Sequence, residues 1–295
     1  MAKRRSLIRK LSLKDALFFF GPLIAFYAVF YLFSTGFLIY ASLHRMSISL
    51  RNPRPVGLDN FQLLLTDPNF LIALQNNIIF ALIAIAAGLT IGFFIAVTLS
   101  AGIRAKSLLY VVFLLPTLMP LALIASVFRV LLESRFGGVN EALRAIGLDG
   151  LAMNWLIDPT LAFGVVCILF IYMIGLPVMY YTANLATINT SVLEAAVLDG
   201  ARTRRLMREI LFPLMKGTHR TIVLSTLLMS FRAFDIVFFS TQGGPAGTTQ
   251  IAGTYVYRYS TTGTNIGYGS AAALVVMVVA LILATLQLLW TRGRS

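Results

Sequence analysis

The stretch at positions 191–213, SVLEAAVLDGARTRRLMREILFP, is the longest part of the chain that reads as a charged helical element, and it lies between two strongly apolar segments. Ser191 and Glu194 stand three apart, the spacing of a capping box, in which hydroxyl and carboxylate each take one unpaired backbone N–H at a helix start. A helix is therefore expected from about Val192. Ala195, Ala196 and Leu198 continue it, and Gly200 is placed to end it, because glycine reaches the left-handed backbone cheaply. Beyond it, Leu206, Ile210 and Leu211 recur at helical spacing with arginines between them. Pro213, which has no backbone N–H, is expected to stop or kink this second helix. Small residues at Ala196 and Gly200 would let another protein's surface come close to the backbone, which makes the element a docking knob. An interfacial amphipathic helix, with arginines toward lipid phosphates, would carry the same pattern; the residues alone do not separate the two.

The rest of the chain says where such a knob sits. Its 295 residues are 58% hydrophobic and 12% charged, with a mean hydropathy of +0.85, against roughly 45–50% apolar and about 25% charged in soluble domains. A membrane-spanning helix needs about 20 mostly apolar residues, since lipid offers the backbone no partners and a helix satisfies its own. Six stretches qualify, near 16–40, 71–100, 107–131, 160–186, 220–241 and 268–290. The expected fold class is an all-α integral membrane protein, with six transmembrane helices and a helix-turn-helix loop at about 187–219, between spans four and five. The expected organisation is a basic segment at 1–15, a transmembrane domain at 16–290 and a tail at 291–295. The apolar run after MAKRRSLIRKLSLK is about twice the roughly 7–15 residues of a signal-peptide core, so it reads as a retained span.

Six spans put both termini on one side. If that side is cytoplasmic, the inner segments hold sixteen Lys and Arg and the outer loops six, with Arg129 and Arg232 inside spans. Positively charged loops stay inside, so 191–213 is expected in the cytoplasm. The same distribution accounts for the net charge of +13 without nucleic acid, whose readers need clustered cations and aromatic platforms. Lone Cys167 lies in an apolar span, reads as a small core residue, and supports neither a disulfide framework nor a metal cluster.

Glu194-Ala195-Ala196, then Asp199-Gly200-Ala201, then Ile210 and Pro213, resembles the EAA loop of the membrane subunits of bacterial ABC importers. VGLDNFQLLLTDPNF (56–70), and FGGVNEALRAIGL (136–148) with NWLIDP (154–159), are similar to the first and second outer loops of the carbohydrate branch, the maltose-type and glycerol-phosphate-type permeases, and FDIVFFSTQGGPAGTT (234–249) resembles the end of their fifth span and the loop after it. Leu206 departs from it, since the family often has an aromatic there. The resemblance implies that Glu194, Ala195, Ala196, Asp199, Gly200, Ala201, Ile210 and Pro213 form a coupling helix seated in a cytoplasmic ATPase. It also implies a second, different permease chain, an extracytoplasmic solute-binding protein and a bacterial or archaeal plasma membrane, with ATP and Mg held by the partner and no cofactor on this chain. No G-x-x-x-x-G-K-[ST] phosphate loop occurs in the sequence, so ATP hydrolysis is expected from a separate subunit.

Polar and aromatic residues inside spans are the candidates for a solute pathway. They are Asn77 in the second span, Tyr172, Tyr180 and Tyr181 in the fourth, and Arg232, Phe234 and Asp235 in the fifth. Arg232 and Asp235, three apart, are expected to pair on one helix face, relieving about 2.5–3.5 kcal/mol for a charge at mid-membrane. Outside, Gly243-Gly244-Pro245 reads as a turn, and Asn140 as the cap of a short helix that Gly147 closes. An ion-coupled secondary transporter is the other class, and it would need embedded carboxylates, discontinuous helices or an internal repeat. Asp235 is the one acidic residue well inside a span.

Overall fold

The computed structural model describes residues 13–50, 52–172, 174–261 and 265–292; most of the basic N-terminal segment and residues 293–295 lie outside them. Among the described residues, four helices are long and apolar enough to cross a membrane, Leu17–Ser42, Pro68–Ser100, Ala162–Leu185 and Ile266–Trp290. Two bent pairs complete the expected six when each pair is one span: Lys106–Leu118 with Leu121–Leu131, and Lys216–Phe231 with Phe234–Ser240.

The bends correct the expectation of continuous rods at 107–131 and 220–241. In the third span the chain turns by 99° at Met119 and Pro120, both extended; Pro120 cannot donate the N–H that would carry the helix on. The fifth span bends by 47° at Arg232 and Ala233. Phe234 N–H there bonds to the Arg232 carbonyl, 2.8 Å, two residues back. The fourth span runs as Ala162–Ile171 and Gly175–Leu185.

The second span is the axis of the bundle. Gly88 and Gly92, four apart, form its contact with the fourth: a Cβ on Gly92 would stand 2.9 Å from the Pro177 side chain, and one on Gly88 would stand 3.3 Å from Pro177 and Ile222. Without a hydrophobic drive between helices in lipid, such small-residue faces let backbones approach closely enough for dispersion to hold them. Around that contact lie two apolar cores. One gathers Phe80, Cys167, Phe170, Ile236 and Val237. The other gathers Phe93, Tyr181, Leu211, Met215 and Ile222, drawn from three spans and the 191–213 segment. The sixth span packs on Ser34–Ser42 and on the short helix Ala252–Thr261.

At the start of the second span, Asp67 caps the helix by accepting from the Asn69 N–H at 2.8 Å, and also accepts from Tyr255 and Tyr268 hydroxyls. Burial raises its pKa, but these hydrogen bonds outweigh burial and hold the carboxyl below its ordinary value. Gly147 has φ +77 and closes helix Gly138–Ala145 as expected. Asn140 does not cap it. Gly137 occupies that position, and buried Asn140 donates to the Ser134 and Met153 carbonyls and accepts from Trp155 Nε1.

Candidate functional site

The 191–213 segment folds as an elbow. Its first helix is Thr190–Leu198, and its cap is Asn189, whose side chain accepts from the Ser191 N–H at 3.1 Å. The capping box expected of Ser191 and Glu194 does not form. Asparagine is as good a cap as serine, and Asn189 holds the extended backbone the position needs, so the helix begins earlier and Glu194 stays exposed. Gly200 does what its sequence position implies. At φ +83 it ends the helix with two bonds, Gly200 N–H to the Val197 carbonyl at 3.0 Å and Ala201 N–H to the Ala196 carbonyl at 2.9 Å, the Schellman pattern.

The second helix runs from Thr203 to Leu214 through a widened π turn at Leu206–Leu211. Pro213 does not stop it; proline sits in the last turn, and the chain swings at Met215 into the fifth span. Met207, Leu211 and Met215, with Leu193 of the first helix, pack on Phe93 and Tyr181. The elbow is thus bolted to the bundle on one face. Its other face is bare: Leu198 is 88% exposed and Val197 56%, with Glu194, Ala195 and Asp199 beside them. Ala196, Ala201 and Ile210 are half-buried.

A polar joint fastens this elbow to two spans. Tyr181, fully buried, places its hydroxyl 2.7 Å from His219 Nδ1, and His219 Nε2 lies 2.8 Å from the Phe212 carbonyl. A carbonyl only accepts, so Nε2 carries the proton toward Phe212. Nδ1 is then the acceptor, and Tyr181 donates to it. The fourth span, the fifth span and the end of the elbow meet in one hydrogen-bonded chain. Nothing in the sequence pairs positions 181 and 219; only the fold brings them together.

The other pathway candidates separate into two groups. Asn77 is fully buried and spends its amide on the Ser230 carbonyl at 3.1 Å and the Ala252 N–H at 3.0 Å, which pins the second span to the fifth. Tyr180 is half-buried against the inner core. Tyr172 is 51% exposed at the break in the fourth span and meets Phe128 edge-on at 5.4 Å. Phe234 stacks on Phe238 at 4.9 Å and lies 5.1 Å from Tyr257. Arg232 and Asp235 are both exposed and do not pair. The 47° bend between them destroys the common helix face that three-residue spacing assumes.

Comparison with known proteins identifies the architecture. Residues 88–293 match the family described as "Binding-protein-dependent transport system inner membrane component". A probable ABC transporter permease of Bacillus subtilis is 31% identical over 85% of this chain and 87% of its own length. The sulfoquinovosyl glycerol transport system permease protein of Agrobacterium fabrum is 26% identical, covering 85% and 82%. A crystal structure of a bacterial ABC transporter that imports the acidic polysaccharide alginate superposes with a TM-score of 0.82 at 21% identity, over 96% of this chain and 97% of that one. Broken helices alone would suit an ion-coupled carrier equally, so it is the match along the chain that decides: this protein belongs to the binding-protein-dependent transport system inner membrane components, the ABC transporter permeases.

Proposed function

We propose that this permease passes a sugar or sugar-like solute, handed over by an extracytoplasmic binding protein, and that the elbow at 190–214 receives the work of ATP hydrolysis from a separate ATPase subunit. The carrying observation is the elbow's two-sidedness. One face is locked into the bundle through Met207, Leu211 and Met215, while Leu198, 88% exposed, stands out at the tip. A short helix of this kind transmits displacement to the fourth and fifth spans, which tilt and switch access between the two sides of the membrane.

Glu194, Ala195, Ala196, Asp199, Gly200, Ala201, Ile210 and Pro213 are assigned to this coupling element. ATP and Mg belong to the partner. Both termini lie in the cytoplasm of a bacterial or archaeal cell, as the distribution of Lys and Arg favours, and a second permease, related but different, completes the pathway. The sugar class is supported by the relatives' solutes, a sulfoquinovosyl glycerol in one and alginate in the other. Tyr172, Phe234, Arg232 and Asp235 remain the pathway candidates on exposed or half-exposed faces.

Leu198→Asp tests the assignment. The side chain is almost wholly exposed, so the variant folds. In proteoliposomes holding the permease pair, ATPase and binding protein, it is expected to abolish solute-stimulated ATP hydrolysis and uptake. Undiminished uptake would show that the elbow is not the coupling element.

A further inference from the structure

Between the second span and the second elbow helix runs a groove of about 660 Å³, within the range of about 300–1,000 Å³ typical of small-molecule sites. Its lining is largely apolar and aromatic, with Phe93 and Phe94 on the span and Phe212 on the elbow, and includes Thr90 of the span and Arg204 and Arg208 of the elbow. We propose that this groove binds an anionic phospholipid of the inner leaflet, with an acyl chain along the phenylalanines and the phosphate on Arg204 and Arg208. The proposal rests on the reading that the elbow lies at the cytoplasmic face.

The charges are arranged for an anion from outside the chain. Arg204 and Arg208 stand four apart on one helix face, both exposed, and neither is in an ion pair among the described residues. Next to this column, the neighbouring positions Arg205 and Glu209 do pair, at 2.8 Å. The helix thus neutralises one column internally and leaves the groove-side column uncompensated. Like charges at this spacing repel, and a bound phosphate relieves that repulsion while satisfying two forked donors.

Depth agrees with the chemistry. The second span ends at Ser100, so Phe94 sits about 9 Å inside that end at 1.5 Å per residue, among the first carbons of an inner-leaflet chain. Arg204 and Arg208 belong to the elbow helix that lines the groove opposite it. An amphipathic element with aromatic groups toward hydrocarbon and cations toward headgroups is what an interfacial segment requires. The tip of the elbow at Leu198 is thus left for the ATPase, while the groove-side arginines of the second helix meet the membrane.

The assembled permease–ATPase complex supplies the test. With a photoreactive phenylalanine analogue replacing Phe94, irradiation in nanodiscs of phosphatidylcholine and phosphatidylglycerol should label phospholipid. The same analogue replacing Leu198 should label the ATPase, so failure of either assignment is seen separately. Phosphatidylglycerol retained after detergent exchange should exceed phosphatidylcholine in the native complex. That preference should fall about fivefold for Arg208→Gln and about thirtyfold for Arg204→Gln with Arg208→Gln. Thr90→Trp, which fills the groove and leaves both arginines, should lower retention of both lipids. Labelling of a protein subunit from position 94, or equal retention of the two lipids by native and doubly substituted complexes, overturns the proposal.

Discussion

Replacing Tyr181 by phenylalanine removes one oxygen from the joint between elbow and spans and nothing else. The ring stays, with its edge contacts to Phe93 at 5.5 Å and to His219 at 5.5 Å. What changes is His219 Nδ1, which loses the hydroxyl at 2.7 Å in a place where no other donor approaches it among the described hydrogen bonds, and the Leu89 carbonyl, which loses a long contact at 3.5 Å. An acceptor stripped of its partner costs about 1–3 kcal/mol when fully buried; His219 is half-buried, so the low end of about 1 kcal/mol applies, a roughly fivefold shift in the balance between a fastened and an unfastened elbow. His219 Nε2 keeps its bond to the Phe212 carbonyl, so the elbow stays attached to the fifth span and loosens from the fourth. Hydrogen exchange in proteoliposomes should therefore quicken at residues 203–219. The ratio of solute moved to ATP hydrolysed should fall, while ATPase activity without solute persists. If exchange and ratio both match the native protein, the hydrogen bond does not carry force and the joint is merely packing.

Other outcomes follow from the same geometry. Gly200→Val meets no atom within 4 Å but must adopt φ +83, at about 1–2 kcal/mol for an L-residue; it should reduce solute-stimulated ATPase activity while the permease still assembles, as size-exclusion in detergent will report. Gly92→Leu drives a side chain into Pro177, whose Cβ would already lie 2.9 Å from a single methyl; separation of the second and fourth spans should lower the yield of monodisperse protein severely, and normal yield would refute the close approach. Asp67 has a depressed folded pKa, so the stability it contributes is complete above its unfolded value of about 3.9 and is lost as pH falls through the lower folded value. Native protein should lose melting temperature in that acid window, and Asp67→Asn should flatten the loss.

How much of this was legible in the sequence depends on the range of the interaction that decides each feature. The spans read well, because twenty apolar residues in a row report on a solvent and need no partner. Gly200 read well for the same local reason: its turn is settled within six residues. The cap was misread because Asn189, Thr190 and Ser191 are all competent caps, and their backbone angles choose between them. The breaks at Pro120 and Ala233 were missed because mean hydropathy over each run is high enough to hide a local signal, Pro120 in one and the charges of Arg232 and Asp235 in the other, and hydropathy is blind to direction. Tyr181, Asn77 and His219 are settled by contacts across 38 to 175 residues, which no periodicity encodes. Tyr181 and Asn77 were singled out as polar groups in an apolar place; their partners turned out to be the protein itself.

The unpaired charges of the bundle carry the last step. Arg129, Arg232 and Asp235 lie within or at the end of candidate spans, all three exposed on this chain. Facing hydrocarbon, each would cost on the order of 2.5–3.5 kcal/mol even on the lenient insertion scale, and Arg232 and Asp235 do not offset one another because the 47° bend has moved them onto different helices. A charge is kept at such a position against water, against another protein or, near a span's end as at Arg129, by reaching the interface. The bend itself has the same implication, since the carbonyls it frees need partners that lipid cannot provide. The third and fifth spans, both broken, are therefore expected to turn their interrupted faces toward a wet path or a second subunit.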